Sequence, residues 1–324
     1  MSNNLTEKPR AIPATFLNFP FQGDLDELDA DVAILGIPFG MPYTPSAMAN
    51  EQSRAPDALR QASDDTEIAY TLNHHDFDLG GPLMNGRDVK VIDCGNVTAD
   101  MGDHGAHYRS AEAAARKILR SGATLVSIGG DHGIPIPIFR ALEEVGETIT
   151  LVQIDAHIDW RDDINGERNG YSSPIRRASE MDWIGDIIQI GMRGVGSARS
   201  SEVDYAKHRG ADIITAYDMH EAGVASILER IPDGGPYYLT VDADGLDPTI
   251  MPAVMSPTPG GLNWHQTRAF VHGLVKKGRV VGMDLVEIAP NRDVGDITLV
   301  HAERLICNFI GAAVRAGYFN GKGQ

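Results

Sequence analysis

The sequence predicts an α/β fold, a three-layer α/β/α sandwich built on a mainly parallel sheet of about eight strands. Three observations carry this expectation. Short β-branched runs recur along the chain, several apolar at nearly every position, as strands covered by helices on both faces must be. Helical patterns fit between successive runs, which gives βαβ units and parallel pairing. No internal repeat, low-complexity tract or Pro/Gly/Ser-rich linker divides the 324 residues, so one domain over 1–324 is the simplest organisation.

In chain order, residues 1–25 read as an N-terminal arm. Strands follow at DVAILGIP (31–38), VKVIDCG (89–95), ATLVSIGG (123–130), TITLVQIDAH (148–157), DIIQIGM (186–192), ADIIT (211–215), YYLTVDAD (237–244) and RVVGMDLVEI (279–288). Helices are expected near 108–120, 134–145, 202–208, 264–277 and 297–316. In such a fold functional groups collect beyond the carboxyl ends of the strands, and the polar residues of interest stand there.

Composition narrows the function. A formal charge of −17, with no basic stripe and interleaved aromatics to offset it, argues against nucleic acid as a partner. No apolar run approaches the roughly 20 residues that cross a bilayer, so no membrane span is expected. The polar start, MSNNLTEKPR, lacks the apolar stretch of a secretory signal, and a cytoplasmic protein is the expectation. Cys94 and Cys307 stand far apart without metal-ligand or redox spacing and read as reduced thiols.

The chemistry gathers in three segments. Asp155-Ala156-His157-Ile158-Asp159 follows the apolar LVQI, and on an extended chain alternate residues point the same way, so Asp155, His157 and Asp159 can meet at one point. Asp242-Ala243-Asp244 follows YYLTV, and its carboxylates share a face if the strand continues. Gly129-Gly130-Asp131-His132 follows TLVSI, where the glycines permit a turn that could bring His132 back over the sheet edge. A single strand-end Asp is most often a helix cap or turn residue. Several carboxylates and imidazoles gathered at three strand ends repel one another, however, unless cations offset them. Mixed carboxylate and imidazole ligands suit Mn²⁺, and less specifically Ni²⁺, Co²⁺ or Zn²⁺. The donors exceed the needs of one ion with an open position; two ions about 3.5 Å apart, sharing Asp carboxylates, would use them and activate water at neutral pH.

GGDH, DAHID and DADGLDP resemble, in matching order between about Gly36 and Pro290, the signature segments of the ureohydrolases, the family of arginase, agmatinase, guanidinobutyrase and proclavaminate amidinohydrolase. The resemblance implies an arginase-like α/β fold, two divalent metal ions with Mn²⁺ the family's usual choice and Ni²⁺ possible, and trimers or hexamers. It also implies one ion on His132, Asp155, Asp159 and Asp242, and another on Asp155, His157, Asp242 and Asp244. The stretch Gly282–Pro290 is similar to the family segment whose Glu pairs with the substrate guanidinium, and Glu287 is the match. Such a carboxylate would orient a planar cation by paired hydrogen bonds, while Asp159 would also assist the attacking water.

Three segments depart from the family. Where it carries a His-Gly pair for proton transfer, this chain reads Asn169-Gly170-Tyr171-Ser172-Ser173-Pro174, and Tyr171, Ser172 or a water must serve. After DADGLDP, Ala253-Val254-Met255-Ser256-Pro257 replaces small and hydroxyl residues, so a narrower, more apolar pocket is expected, and Tyr43–Asn50 replaces an RPGAR-like stretch. Substrate contacts are therefore expected from Glu287, Ser172, Ser173, Val254 and Met255. The expected reaction is hydrolysis of a small guanidino compound (guanidine, an alkylguanidine or a short guanidino acid) to urea plus ammonia or an amine. Arg161, Arg168, Arg176 or Arg177 could meet a substrate carboxylate, although local ion pairs in a solvated loop are the commoner reading for each. The alternatives are an agmatinase, a formimino or acetyl-amine hydrolase on the same fold, and a catalytically silent subunit within a hetero-oligomer.

Overall fold

The computed structural model describes residues 6–7, 15–41, 43, 48–64, 70–99, 102–195 and 198–319. Its elements are β1 (Thr6–Glu7), β2 (Val32–Ile37), α1 (Ala55–Ala62), α2 (Tyr70–Asn73), β3 (Val91–Val97), α3 (His104–Arg120), β4 (Thr124–Gly129), α4 (Pro135–Ala141), β5 (Ile149–Ile154), α5 (Pro174–Ala178), β6 (Ile184–Met192), α6 (Ser200–His208), β7 (Asp212–Thr215), α7 (Ala216–Glu229), β8 (Gly234–Asp242), α8 (Trp264–Lys277), β9 (Gly278–Val286) and α9 (Ile297–Ala316). The nine strands form one sheet in the order β1-β3-β2-β4-β9-β8-β5-β6-β7. The eight expected strands, β2 to β9, run parallel, and the two-residue β1 adds an antiparallel edge against β3.

Side-chain parity splits the core in two. On one face Val126, Val152, Ile154 and Ile190 pack with Leu59 of α1, Met219 of α7, Phe270 of α8 and Ile306 of α9. On the other, Leu125, Leu151, Ile187 and Tyr238 meet Ile118 of α3, Phe139 of α4, Ile175 of α5 and Ala206 of α6. This is the three-layer sandwich. The sequence reading had no helix at α1, α2, α5 or α7. In α7 the periodicity is interrupted by Gly223 at φ 76°, although the Thr215/Asp218 capping box marks its start. From Thr15, the later part of the stretch read as an arm lies against β3 and α1: Phe16 is fully buried and its N–H donates to Asp93. Its earlier part lies, apart from Thr6–Glu7, outside the described residues, as do Thr44–Ala47 of the departing segment.

Among the described residues α9 is the one helix long and apolar enough to cross a membrane, more apolar over the expected 297–316 than the absence of an unbroken apolar run suggested, and most of it is buried inside the molecule. The chain leaves β4 and returns at β5, while β9 and β8 later fill the gap between them. The carboxyl ends of these four adjacent strands form the cleft, as expected where strand order switches direction.

Candidate metal centre

His132 reaches the cleft through the turn after β4. A Cβ on Gly130 would stand 2.4 Å from the Pro38 carbonyl oxygen, so this tight turn needs glycine. The turn is tied to β9, with the Glu287 N–H donating to Gly130 O at 2.9 Å and the His132 N–H to Glu287 Oε1 at 2.8 Å. Past β5 the chain is not extended as the alternation argument assumed: it turns at once, and Asp159 sits in the left-handed region at φ 53°. Convergence comes from that turn. Likewise β8 ends at Asp242, and a 3-10 turn over Ala243–Gly245 delivers Asp244.

The two imidazoles define two donor groups. His132 Nδ1 lies 3.0 Å from Asp155 Oδ2, 3.0 Å from Asp159 Oδ2 and 3.2 Å from Asp242 Oδ2. His157 Nδ1 lies 3.2 Å from Asp244 Oδ2 and 3.5 Å from Asp155 Oδ1. Asp155 thus faces both groups, one oxygen to each, whereas the second oxygen of Asp242 accepts the Asp244 N–H at 2.8 Å. All of these side chains except that of His157 are buried.

Hydrogen bonding fixes what these atoms want. Thr240 donates its hydroxyl to Asp284 Oδ1 at 2.7 Å, so its oxygen can accept the Nε2–H of His132 at 3.0 Å. In the neutral ring His132 Nδ1 then carries a lone pair aimed at three carboxylate oxygens, and both it and Asp159 Oδ2 are buried without a conventional hydrogen-bond partner. Four electron-rich atoms facing one point call for a cation, and the donor set suits a divalent metal ion.

Without one, the cluster balances its charge with protons. Burial would lower the pKa of His132, but Asp155, Asp159 and Asp242 outweigh it and raise it well above the usual imidazole range. Burial likewise opposes protonation of His157, and Asp155 and Asp244 drive its pKa up to about 12. Burial and then Asp244 and Asp155 push Asp242 well above the carboxylate range, and Asp159 is raised to about 6 by burial and by Asp155. Burial would raise Asp155 too, yet its bonds to His132 and His157 hold it below the usual range.

Beneath the ligands lies a row of buried polar residues in register across five adjacent strands: Ser127, Asp284, Thr240, Gln153 and Gln189. Thr240 and Gln153 precede Asp242 and Asp155 by two residues, and so point to the same face. None of the five is singled out by the motifs, although Thr240 and Gln153 carry a local signal, a polar residue inside an apolar strand two positions before a candidate ligand.

A cleft of about 640 Å³ opens above the groups, large enough for a small ligand. His132, His157, Asp159, Asp242, Asp244 and Glu287 line its floor, with Asn50 from the departing Tyr43–Asn50 stretch and Gln52, to which no motif pointed; Tyr171, Ser172, Val195, Met255, Ser256, Pro257 and Thr258 line the rest. Gln52 Nε2 donates to Glu287 Oε2 at 2.7 Å. Burial, then Asp131, raises Glu287 to about 8. Of the residues expected to contact substrate, Glu287, Ser172 and Met255 line the cleft, while Ser173 and Val254 are buried behind it. Tyr171 is 44% exposed and meets Tyr43 edge to face, with ring centroids 4.8 Å apart. The wall after Asp247 mixes Met255 and Pro257 with the hydroxyls of Ser256 and Thr258, so it is less apolar than expected.

The four arginines weighed for a substrate carboxylate form the local ion pairs that are the commoner fate of such loop residues. Arg161 binds Glu202, Arg168 and Arg177 bind Asp162 and Glu180, and Arg176 binds Glu180 while lying 3.6 Å over the Tyr205 ring. None lines the cleft. Another arginine matters more: Arg193 donates to the carbonyls of Asp244, Gly245, Leu246 and Thr258, tying the metal-side turn to the cleft wall.

An open parallel α/β sheet with clustered candidate metal ligands at its carboxyl edge is the class this architecture defines. Residues 30–311 match the Arginase family. The chain is 32% identical over 295 residues to an agmatinase of Salmonella paratyphi B, covering 90% of each chain. Its fold is similar to that of proclavaminate amidino hydrolase from Streptomyces clavuligerus (TM-score 0.77, 26% identity, 97% of this chain and 100% of that one). It is also similar to a hypothetical agmatinase from Burkholderia thailandensis (TM-score 0.78, 28% identity, 93% and 90%). The chain therefore belongs to the arginase family of hydrolases.

Proposed function

We propose that the protein hydrolyses a small guanidino compound without a distal carboxylate, giving urea plus ammonia or an amine. The observation that carries this reading is the His132 Nδ1 facing oxygens of Asp155, Asp159 and Asp242, in a cleft whose floor is also formed by Glu287 and Gln52. His132, Asp155, Asp159 and Asp242 would hold one divalent ion, and Asp155, His157 and Asp244, with Asp242 in a shared role, a second. Mn²⁺ is the ion the donor set favours, with Ni²⁺ as the alternative. When bound, such a pair supplies Lewis-acid polarisation and activates water at neutral pH.

The chain's own groups do the rest. Because Gln52 donates to Glu287, its carbonyl oxygen is left a buried acceptor without a partner. Glu287 and Gln52 together accept N–H groups of a planar cation and turn its central carbon toward the attacking water. The water oxygen bonds to that carbon as the Asp159 carboxylate takes up one of its protons. The C–N bond to the leaving nitrogen then breaks as Asp159 passes the proton to that nitrogen, which the Tyr171 hydroxyl steadies with a hydrogen bond at the cleft mouth. Burial and its neighbours Tyr43 and Glu287 raise the Tyr171 pKa above its ordinary value, so it donates a hydrogen bond rather than shuttling protons at neutral pH.

The absence of Arg or Lys from the described lining disfavours arginine and guanidino acids, and the outer wall of Val195, Met255, Ser256, Pro257 and Thr258 offers a short alkyl tail apolar contact but, among the described residues, no carboxylate for the second amine of agmatine. We read the chain as one domain of a cytoplasmic homo-oligomer, trimer or hexamer, with a hetero-oligomer as the alternative. The test is purified protein with Mn²⁺ and a panel of guanidine, alkylguanidines, agmatine, arginine and formimino compounds, read as urea. Urea from the small compounds is expected. Preference for arginine or agmatine, release of formamide, or activity only with a partner subunit would each replace this reading.

A further inference from the structure

A directed chain of hydrogen bonds runs through the sheet to Asp155. The buried Trp160 indole N–H donates to Gln189 Oε1 at 2.8 Å; Gln189 Nε2 donates to Gln153 Oε1 and to Ile158 O; Gln153 Nε2 donates to Asp155 Oδ2 at 2.6 Å and to His157 O at 3.3 Å. We propose that Trp160, Gln189 and Gln153 are positioning residues that fix the Asp155 carboxylate for metal binding. The proposal rests on the metal-centre reading given above.

The direction of the chain is dictated chemically. An indole nitrogen can only donate, so the Gln189 carbonyl must face it and the Gln189 amide nitrogen must face Gln153. The Gln153 carbonyl is thereby engaged, and its amide nitrogen is left to face Asp155. The backbone carbonyls of Ile158 and His157, which can only accept, fix the same two orientations independently. Neither amide can flip without burying an unmatched donor or acceptor.

Asp155 is where a fixed orientation matters most. Its Oδ2 is the oxygen 3.0 Å from His132 Nδ1, and its Oδ1 accepts the His157 N–H at 2.6 Å while facing His157 Nδ1. With one N–H donor on each oxygen the carboxylate plane is set, and its remaining lone pairs point at the two donor groups. Residues in this position commonly tune metal affinity as strongly as a poor ligand would. A role limited to filling the core would affect folding but leave the affinity of the folded protein alone.

The test is calorimetric titration of metal-depleted protein with Mn²⁺, alongside thermal melts of the metal-free forms. Gln153→Met, which keeps the volume, is expected to weaken Mn²⁺ binding by about 10- to 100-fold. Trp160→Phe, which removes only the N–H and part of the ring, is expected to weaken it by roughly 3- to 10-fold, the worth of one neutral hydrogen bond. Gln189→Glu keeps the acceptor for Trp160 but cannot donate to Gln153, and gives a second way into the chain with a loss of similar size. The double variant Gln153→Met/Trp160→Phe should bind as Gln153→Met does, because the indole acts only through Gln153. Wild-type affinity in folded Trp160→Phe or Gln189→Glu, or losses that multiply in the double variant, would overturn the chain while leaving the metal centre intact. Wild-type protein that takes up no Mn²⁺ would overturn both.

Discussion

Two buried carboxylate clusters in this molecule are built on opposite principles. In one, Asp93 of β3 is paired with Arg60 of α1, and neither has any exposed surface. Arg60 donates to Asp93 Oδ2 at 2.8 Å and Oδ1 at 2.9 Å, and the N–H groups of Phe16 and Gly95 complete the carboxylate, so the chain supplies its own cation and every bond. In the other, Asp155, Asp159, Asp242 and Asp244 meet two imidazoles, with no Lys or Arg among the described groups in salt-bridge contact with them. The first cluster is a finished structural joint. The second is balanced only when a cation arrives, which is why burial there signals binding.

The sharpest way to break this contrast is to remove one partner from each cluster. Asp155→Asn or Asp242→Asn is expected to lose nearly all turnover and at least one equivalent of metal, while the metal-free protein still folds. Arg60→Met should instead lower stability by about 3–5 kcal/mol, the cost of stranding a buried charge, as measured by denaturant unfolding. Full metal content and normal turnover in the Asp variants would erase the distinction.

A second test addresses charge balance. The raised pKa values of His132 and His157 keep both imidazoles protonated at pH 7 in metal-free protein, and both must be bare to act as ligands. Filling the site with Mn²⁺ at pH 7 should therefore release about two protons from the imidazoles, and more if the Asp242 carboxyl is still protonated, and affinity should rise with pH. Calorimetry in two buffers of different ionisation enthalpy reads the number directly, and a value near zero would mean the cluster is not proton-loaded.

Moving outward to the cleft mouth, effects should shrink. Tyr171→Phe is expected to lower turnover about tenfold, the loss of one hydrogen bond to the leaving nitrogen, with metal content unchanged. An inert Tyr171→Phe would hand that role to water or Ser172. Arg168, 55% exposed in its side chain with ion-pair distances of 3.3 and 3.4 Å, should be replaceable by Ala within about 0.5 kcal/mol and with unchanged KM. A large rise in KM would instead restore a carboxylate-bearing substrate.

The strands and most of the long helices were legible because they are written locally: apolar runs such as AILGI and TLVSI admit few alternatives to buried parallel strands. The donor set was legible for the same reason, since DAHID, DAD and GGDH each sit at a strand end. Gln52, Arg193 and the Trp160 chain were not. Gln52 stands 235 positions from Glu287, and Arg193 about 50 from the carbonyls of Asp244, Gly245 and Leu246, separations at which no periodicity links two residues. The arginines of 161–177 could be given to local ion pairs or to a substrate carboxylate from sequence, which shows which charges are near in number and not which of Glu202, Asp162 and Glu180 each one meets. Sequence alone determined the residue types at each strand end, and with them the layers of the fold and the chemistry available to it. Only the tertiary structure decided which donors face one another, because hydrogen-bond direction and the balance of buried charge depend on atoms brought together by strands distant in the chain.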